Sequence, residues 1–278
     1  MIHTSPFSTD LRRPAARRAQ RKQIRAIEAP AVAPLLRRNL VGFGLFLMAW
    51  AAAALFFPAY ILPSPWAVLG SMPARLNPAF LHHLGLTLGR VGMGFGASFI
   101  IGTVLGIAGH LLNVTEQLRT VMSAQQVIPG TILGIIFLLL FGVGGGTAIA
   151  LVGVLTLPLV AINTASGLAK TDPDLIEVLV SLGGGKCDLV RYLYLPTLLT
   201  SFQGTLTLGF GLALKVAILG EFVGAGDGLG YLLNVARVYF RMDEVFFYLF
   251  IVLLLTLAFQ MLQSLIFSFG LRRYLEGV

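Results

Sequence analysis

TDPDLIEVLVSLGGGKCDLVRYLYLP, residues 171–196, is the most polar long interruption between apolar runs on the C-terminal side of the basic arm. Lys170, Asp172, Asp174, Glu177, Lys186, Asp188 and Arg191 fall in or beside it. Asp172 is placed to cap a helix, with Pro173 in its first turn and Asp174 and Glu177 toward its positive end. Leu175, Ile176, Leu179 and Leu182 recur at helical spacing. Gly183, Gly184 and Gly185 then stop the helix, because glycine accepts the left-handed cap. A second short helix is predicted from about Cys187 to Pro196. The first is about ten residues, half of what a bilayer needs. It is expected to lie on a membrane surface and present one side to another molecule.

The flanks define that membrane. Of 278 residues, 56% are hydrophobic and 12% charged, about half the usual charged fraction of a soluble domain. Apolar runs of about 20 residues recur, which predicts an all-α integral membrane protein with about six spans. The spans are expected at about 39–57, 91–111, 126–143, 147–168, 198–223 and 245–269. Residues 83–90 read as a helical lead-in to the second. Pro58, Pro63 and Pro65 break the chain after the first. Gly92 and Gly96, and Gly102 and Gly106, are spaced for close helix packing.

Residues 1–36 form a basic N-terminal arm, and 37–278 the membrane domain with its polar loop at 169–196. The net charge of +8 raises nucleic acid as a partner. The placement of the charges argues against it, since nine of the twenty Lys and Arg lie in the first 38 residues, beside the first span. The arm is expected to be a disordered cytoplasmic tail, with an amphipathic segment lying on anionic membrane lipid as the alternative. Fifteen basic residues fall on the side of the termini and the polar loop. Only Arg75, Arg237 and Arg241 fall opposite. The termini and the loop are therefore expected in the cytoplasm.

The polar loop resembles the cytoplasmic loop of ABC importer permeases, whose pattern is E-A-A, three residues, G, nine residues, I-x-L-P. Glu177-Val178-Leu179 stands at E-A-A, Gly183 at the glycine, and Leu193-Tyr194-Leu195-Pro196 at the end. Val178 and Leu179 are bulkier than alanine, and Leu193 replaces isoleucine. Three further stretches are similar to the nitrate/sulfonate/taurine branch: Leu62–Val68, the His83, Thr87, Leu88, Arg90 pattern, and Glu221 through Leu233.

The resemblance implies an inner-membrane permease, with a second copy completing the pore as a homodimer. It also implies two separate ATPase subunits and an extracytoplasmic solute-binding protein. Asp174, Leu175, Glu177, Val178, Leu179, Gly183, Leu195 and Pro196 would form the coupling surface. The solute would be a small anion or zwitterion such as nitrate, a sulfonate or taurine, with a thiamine-precursor pyrimidine or another small organic solute as the alternative.

The chain is expected to be no enzyme and to bind no cofactor, with ATP and magnesium held by the partner ATPase. A phosphate-cradling loop needs G-x-x-x-x-G-K-[S/T]. Gly185-Lys186-Cys187 has Val180 at the first glycine and Cys187 where a hydroxyl should bind magnesium. The segment 224–230, GAGDGLG, follows a span rather than a strand, which argues against a dinucleotide loop. His3, His82, His83 and His110 have no flanking carboxylates, so no metal site is expected.

Lys215 is the one cation in the middle of an apolar run. It is expected to face the translocation path, to pair with Glu221, or to reach toward water. Glu221 is expected near the outer end of its span, in an ion pair with Lys215 or an outer arginine. An ion-coupled carrier would need an acidic or carbonyl-lined site at mid-depth, and Glu221 is the only acid in or bordering the spans. A lipid-modifying enzyme would need clustered His, Asp or Glu at the interface, and none is evident.

Overall fold

The structure, a computed structural model, describes the backbone of residues 32–275 and the side chains of 41–267 except Lys186. The expected basic arm lies mostly outside these residues. The described residues are all helical and turn, with no strand. In order they are α1 (Val32–Ala54), α2 (Pro65–Arg75), α3 (Pro78–Leu111), α4 (Thr115–Gln125), α5 (Gly130–Phe141), α6 (Gly145–Leu168), α7 (Pro173–Ser181) and α8 (Lys186–Leu189). A π-helical turn (Val190–Tyr194) then leads into α9 (Leu195–Gly224), followed by α10 (Leu229–Val238) and α11 (Met242–Leu275).

Among the described residues, four continuous helices are long and apolar enough to cross a membrane: α3, α6, the unbroken run Cys187–Gly224, and Met242–Phe267 within α11. The described part of α1, Val41–Ala54, is apolar but shorter. The span expected at 126–143 holds only a shorter helix, α5. The stretch before it, expected as a loop, is the helix α4, and the two form a pair bent by 81° at the break. Pro129 causes the break, since it cannot donate to the preceding turn.

Contacts along α6 show that the bent pair traverses the bundle. Arg119 reaches Ser166 (3.0 Å) and Gln125 reaches the Val154 carbonyl (2.6 Å). Gly130 lies against Leu155 and Gly134 against Leu151. Beyond α5, the Gly144 amide donates to the Gly224 carbonyl (2.8 Å). The chain thus climbs from the end that carries α7 to the opposite, far end.

α3 and α6 form the bundle's most extensive contact. They run parallel, with Gly94, Gly102 and Gly106 of α3 against Val152, Val160 and Thr164 of α6. A Cβ at these glycines would come within 2.6–2.8 Å of its neighbour. Of the expected glycine pairs, Gly102 and Gly106 therefore sit at the contact. Gly92 and Gly96 do not, because the packed stripe is 94, 98, 102, 106 and those two point away, with nothing within 4 Å. Overpacking a helix contact costs about 1–3 kcal/mol or more. Gly102→Leu should therefore lose most of its folded, monodisperse protein on size-exclusion chromatography, whereas Gly92→Leu should keep it.

The lead-in expected at 83–90 is continuous with the second span. Asn77 caps α3 by accepting from the Phe80 amide (2.9 Å), and after Pro78 in the first turn no proline interrupts the helix. At about 1.5 Å per residue, α3 exceeds a bilayer core and carries His83, Thr87 and Arg90 at the far end. The expected helix end at Pro196 is also overturned. The chain stays helical from Cys187 to Gly224. The widened turn just before the proline, where the Leu195 amide bonds back five residues to Val190, makes room for a ring that has no N–H.

Candidate functional site

Two places bring the sequence-marked residues together. The first is α7. The Asp172 carboxylate accepts from the Asp174 amide (3.0 Å), so the cap forms as expected. At the other end the Gly183 amide donates to Val180 and the Gly184 amide to Leu179, both at 2.9 Å. Those two bonds are a Schellman closure. It requires the left-handed backbone of Gly183 (φ +85°). It also brings Gly184 so close that a Cβ there would lie 2.7 Å from the Leu179 carbonyl. The third glycine acts differently, since its amide donates to Asp188 (2.8 Å) at the start of α8.

No residue of α7 is buried. Leu175, Val178 and Leu182 share one face and are 52%, 55% and 80% exposed, beside the exposed Asp174 and Glu177. Leu179 turns inward, half-buried against Gly184. The two residues bulkier than alanine thus act differently: Val178 alters the free face, and Leu179 packs inside the hairpin. Leu195 and Pro196 are not on this face. They lie at the root of α9, beyond the π turn.

The second place is at the far end, between α3, the end of α9 and the turn into α10. Glu221 is fully buried. Its carboxylate accepts from Arg90 Nη1 (2.8 Å), Thr87 Oγ1 (2.9 Å) and the Gly230 amide (2.9 Å). Arg90 also donates to the Asp227 carbonyl (3.0 Å) and pairs with the Asp227 carboxylate. The Leu229 amide donates to Thr87 Oγ1 (2.8 Å), and the Gly228 amide to His83 Nδ1 (2.9 Å). Three successive amides at the start of α10 therefore meet side chains of α3 and α9.

This explains the glycine-rich 224–230 segment. It does form an anion cradle at a helix N-terminus, but the anion is the chain's own Glu221. A Cβ on Gly228 would fall 2.3 Å from the Glu221 carboxyl carbon, and one on Gly230 2.2 Å from the Ile218 carbonyl. Gly145 leaves space for Arg90 in the same way. The ion pair of Glu221 is with Arg90, and none joins it to Lys215.

Lys215 is exposed on α9, and among the described residues no carboxylate lies within ion-pair distance of it. Arg241 pairs with Glu244 and Arg75 with Asp243, so the far-end charges are largely tied to one another. Sequence reasoning named His83, Thr87 and Arg90 as markers without seeing that they bind the 221–230 turn. The signal was a lone span acid followed at nine residues by the last glycine of a glycine-rich turn.

Comparison with known proteins fits this architecture. The family model described as "Binding-protein-dependent transport system inner membrane component" matches residues 98–268, more than half of the chain and all of the α7 loop. The chain belongs to that family of ABC permeases. Among its family relatives, the riboflavin transport system permease RibX of Chloroflexus aurantiacus is 31% identical over 80% of this chain and 84% of its own. The formylaminopyrimidine permease ThiX of Halalkalibacterium halodurans is 31% identical over 70% and 79%. The taurine permease TauC of Escherichia coli is 24% identical over 76% and 82%. Among solved structures, an inward-facing MetNI methionine ABC transporter aligns with a TM-score of 0.58 at 20% identity. That alignment covers 67% of this chain and 93% of the other, and it establishes the shared fold.

Proposed function

We propose that this chain is the membrane permease of an ATP-driven importer, with α7 as the element that receives the ATPase stroke. The observation that carries this reading is α7 itself: a rigidly capped helix with an apolar face turned away from its own chain. Asp174, Leu175, Glu177, Val178 and Gly183 form the docking face. Leu179 holds the hairpin closed, and Leu195 and Pro196 join it to α9.

Movement of α7 passes through the hydrogen-bonded glycine turn at 183–185 into the continuous helix Cys187–Gly224, whose one irregularity is the π turn, and so to the far end. The excess of Lys and Arg on the side of α7 supports a cytoplasmic position for α7 and both termini. A second copy of the chain completes the pore, two ATPase subunits dock below, and a solute-binding protein delivers from the far end.

The solute is a small organic molecule or anion. Taurine and sulfonates remain the first choice, with formylaminopyrimidine or riboflavin supported by the names of relatives. The test is uptake of radiolabelled taurine, ethanesulfonate, formylaminopyrimidine and riboflavin into proteoliposomes holding the permease with its co-purified ATPase and binding protein. ATP-dependent uptake of one of them is expected. Uptake that survives ATP depletion and collapses with an uncoupler would instead mean an ion-coupled carrier. The permease purified alone should hydrolyse no ATP above the lipid blank, since it carries no complete phosphate loop.

A further inference from the structure

Lys215 projects from α9 nine residues before Gly224, roughly 14 Å along the helix axis. That distance is beyond the reach of its four-carbon stem. A charge so deep requires a counter-ion or a water-filled cavity. The sequence contains no Asp or Glu at 29–115, 117–171, 189–220 or 245–275. The one acid of the spans, Glu221, already accepts three hydrogen bonds and is fully buried. Since a second copy has the same sequence, a homodimer brings no free carboxylate to this depth either.

Lys215 also ends an open stripe. Gly204, Leu208, Leu212 and Lys215 follow at steps of four, four and three, and all are exposed, while the alternate faces of α9 are packed. On one flank α9 meets α5, through Leu219 against Gly130. On the other it meets α11, through Phe210 stacked on Phe259 at 3.7 Å and Thr207 bonded to Gln263 at 2.7 Å.

We infer that this stripe lines the water-filled translocation path and that Lys215 is its anion-attracting point, so the solute that passes carries a negative charge. The inference rests on the importer reading and narrows it to anionic solutes such as organic sulfonates. A neutral solute would leave Lys215 without a counter-ion throughout the cycle.

The test needs no knowledge of the solute. Cys187, the only cysteine, is replaced by serine, and Leu212→Cys is introduced one turn from Lys215, on the same face. Membrane vesicles holding the full chain with its partners are treated with anionic sulfonatoethyl methanethiosulfonate or its cationic trimethylammonium analogue. The ratio of anionic to cationic labelling rates should be about tenfold or more higher with Lys215 than in Lys215→Met. An unchanged ratio overturns the inference, as does a cysteine that neither reagent reaches. Failure of Lys215→Met to accumulate in the membrane also overturns it, since that would reveal a structural partner. ATP-dependent uptake is read separately, so a failed importer reading would show there and not in the labelling ratio.

Discussion

Uptake should fall about a hundredfold when Glu177 is replaced by lysine, while the amount of permease in the membrane stays unchanged. The reasoning starts from exposure. Glu177 is an exposed residue of a helix with no buried residue, so nothing in the chain's own packing depends on it. Among the described residues it takes part in no ion pair. Surface substitutions of this kind usually change stability by less than about 0.5 kcal/mol. At a docking face the same change acts on the partner, where opposing like charges cost several kcal/mol. About 2.7 kcal/mol is a hundredfold, so the interface term dominates. Gly183 offers an independent route to the same loss. A β-carbon in its left-handed conformation costs about 1–2 kcal/mol, and nine residues of helix have little stability of their own. Gly183→Asp adds a carboxylate at the negative helix end, whereas Gly183→Asn tolerates the conformation without the charge. The expected order of uptake is wild type, Gly183→Asn, Gly183→Asp. Measured in proteoliposomes at equal permease content, wild-type uptake by both Glu177→Lys and Gly183→Asp would remove α7 from the coupling path.

The legibility of this chain in its sequence differed by kind of interaction. Local rules read well: Asp172, Pro173 and Gly183 bounded α7 to within a residue or two, because caps act over three or four positions. Long apolar runs located the membrane helices. Two local breakers misled. The stretch before Pro129, read as a loop, is the helix α4, bent by 81° against an α5 shorter than the expected span, while Pro196, expected to end a helix, was absorbed by a π turn. Proline fixes what its own residue cannot do, but tertiary packing decides whether the helix bends or widens. The Glu221 cluster was the least legible. Its donors lie more than 130 residues away in Thr87 and Arg90, and no periodicity reports a contact of that separation. Glycine register failed for a related reason: Gly92 and Gly94 are both glycines of α3, and only the partner helix distinguishes them.

Replacing Arg90 with methionine should be the most destabilising single side-chain truncation in the bundle. It strips Glu221 of its only countercharge among the described residues while leaving the carboxylate fully buried. Breaking a buried ion pair from one side costs about 3–5 kcal/mol. Thr87 and the Gly230 amide would still donate to Glu221, which softens the loss without cancelling it. The partners should then rank by burial. Glu221→Gln keeps its shape and leaves Arg90 paired with Asp227, so it should cost about 1–3 kcal/mol. Asp227→Asn should cost least, because that carboxylate is 43% exposed and solvent screens its contact with Arg90. The decisive comparison is the double variant Arg90→Met with Glu221→Gln. If the Arg90 loss is chiefly an orphaned charge, removing the charge should recover part of it, with a coupling energy of about 0.5–3 kcal/mol. Thermal unfolding of the detergent-purified protein measures each step of that cycle. Additive losses would mean that Arg90 acts through its packing against Gly145 and the 224–230 turn, and that the charge pair across the far end contributes little to holding α3, α9 and α10 together.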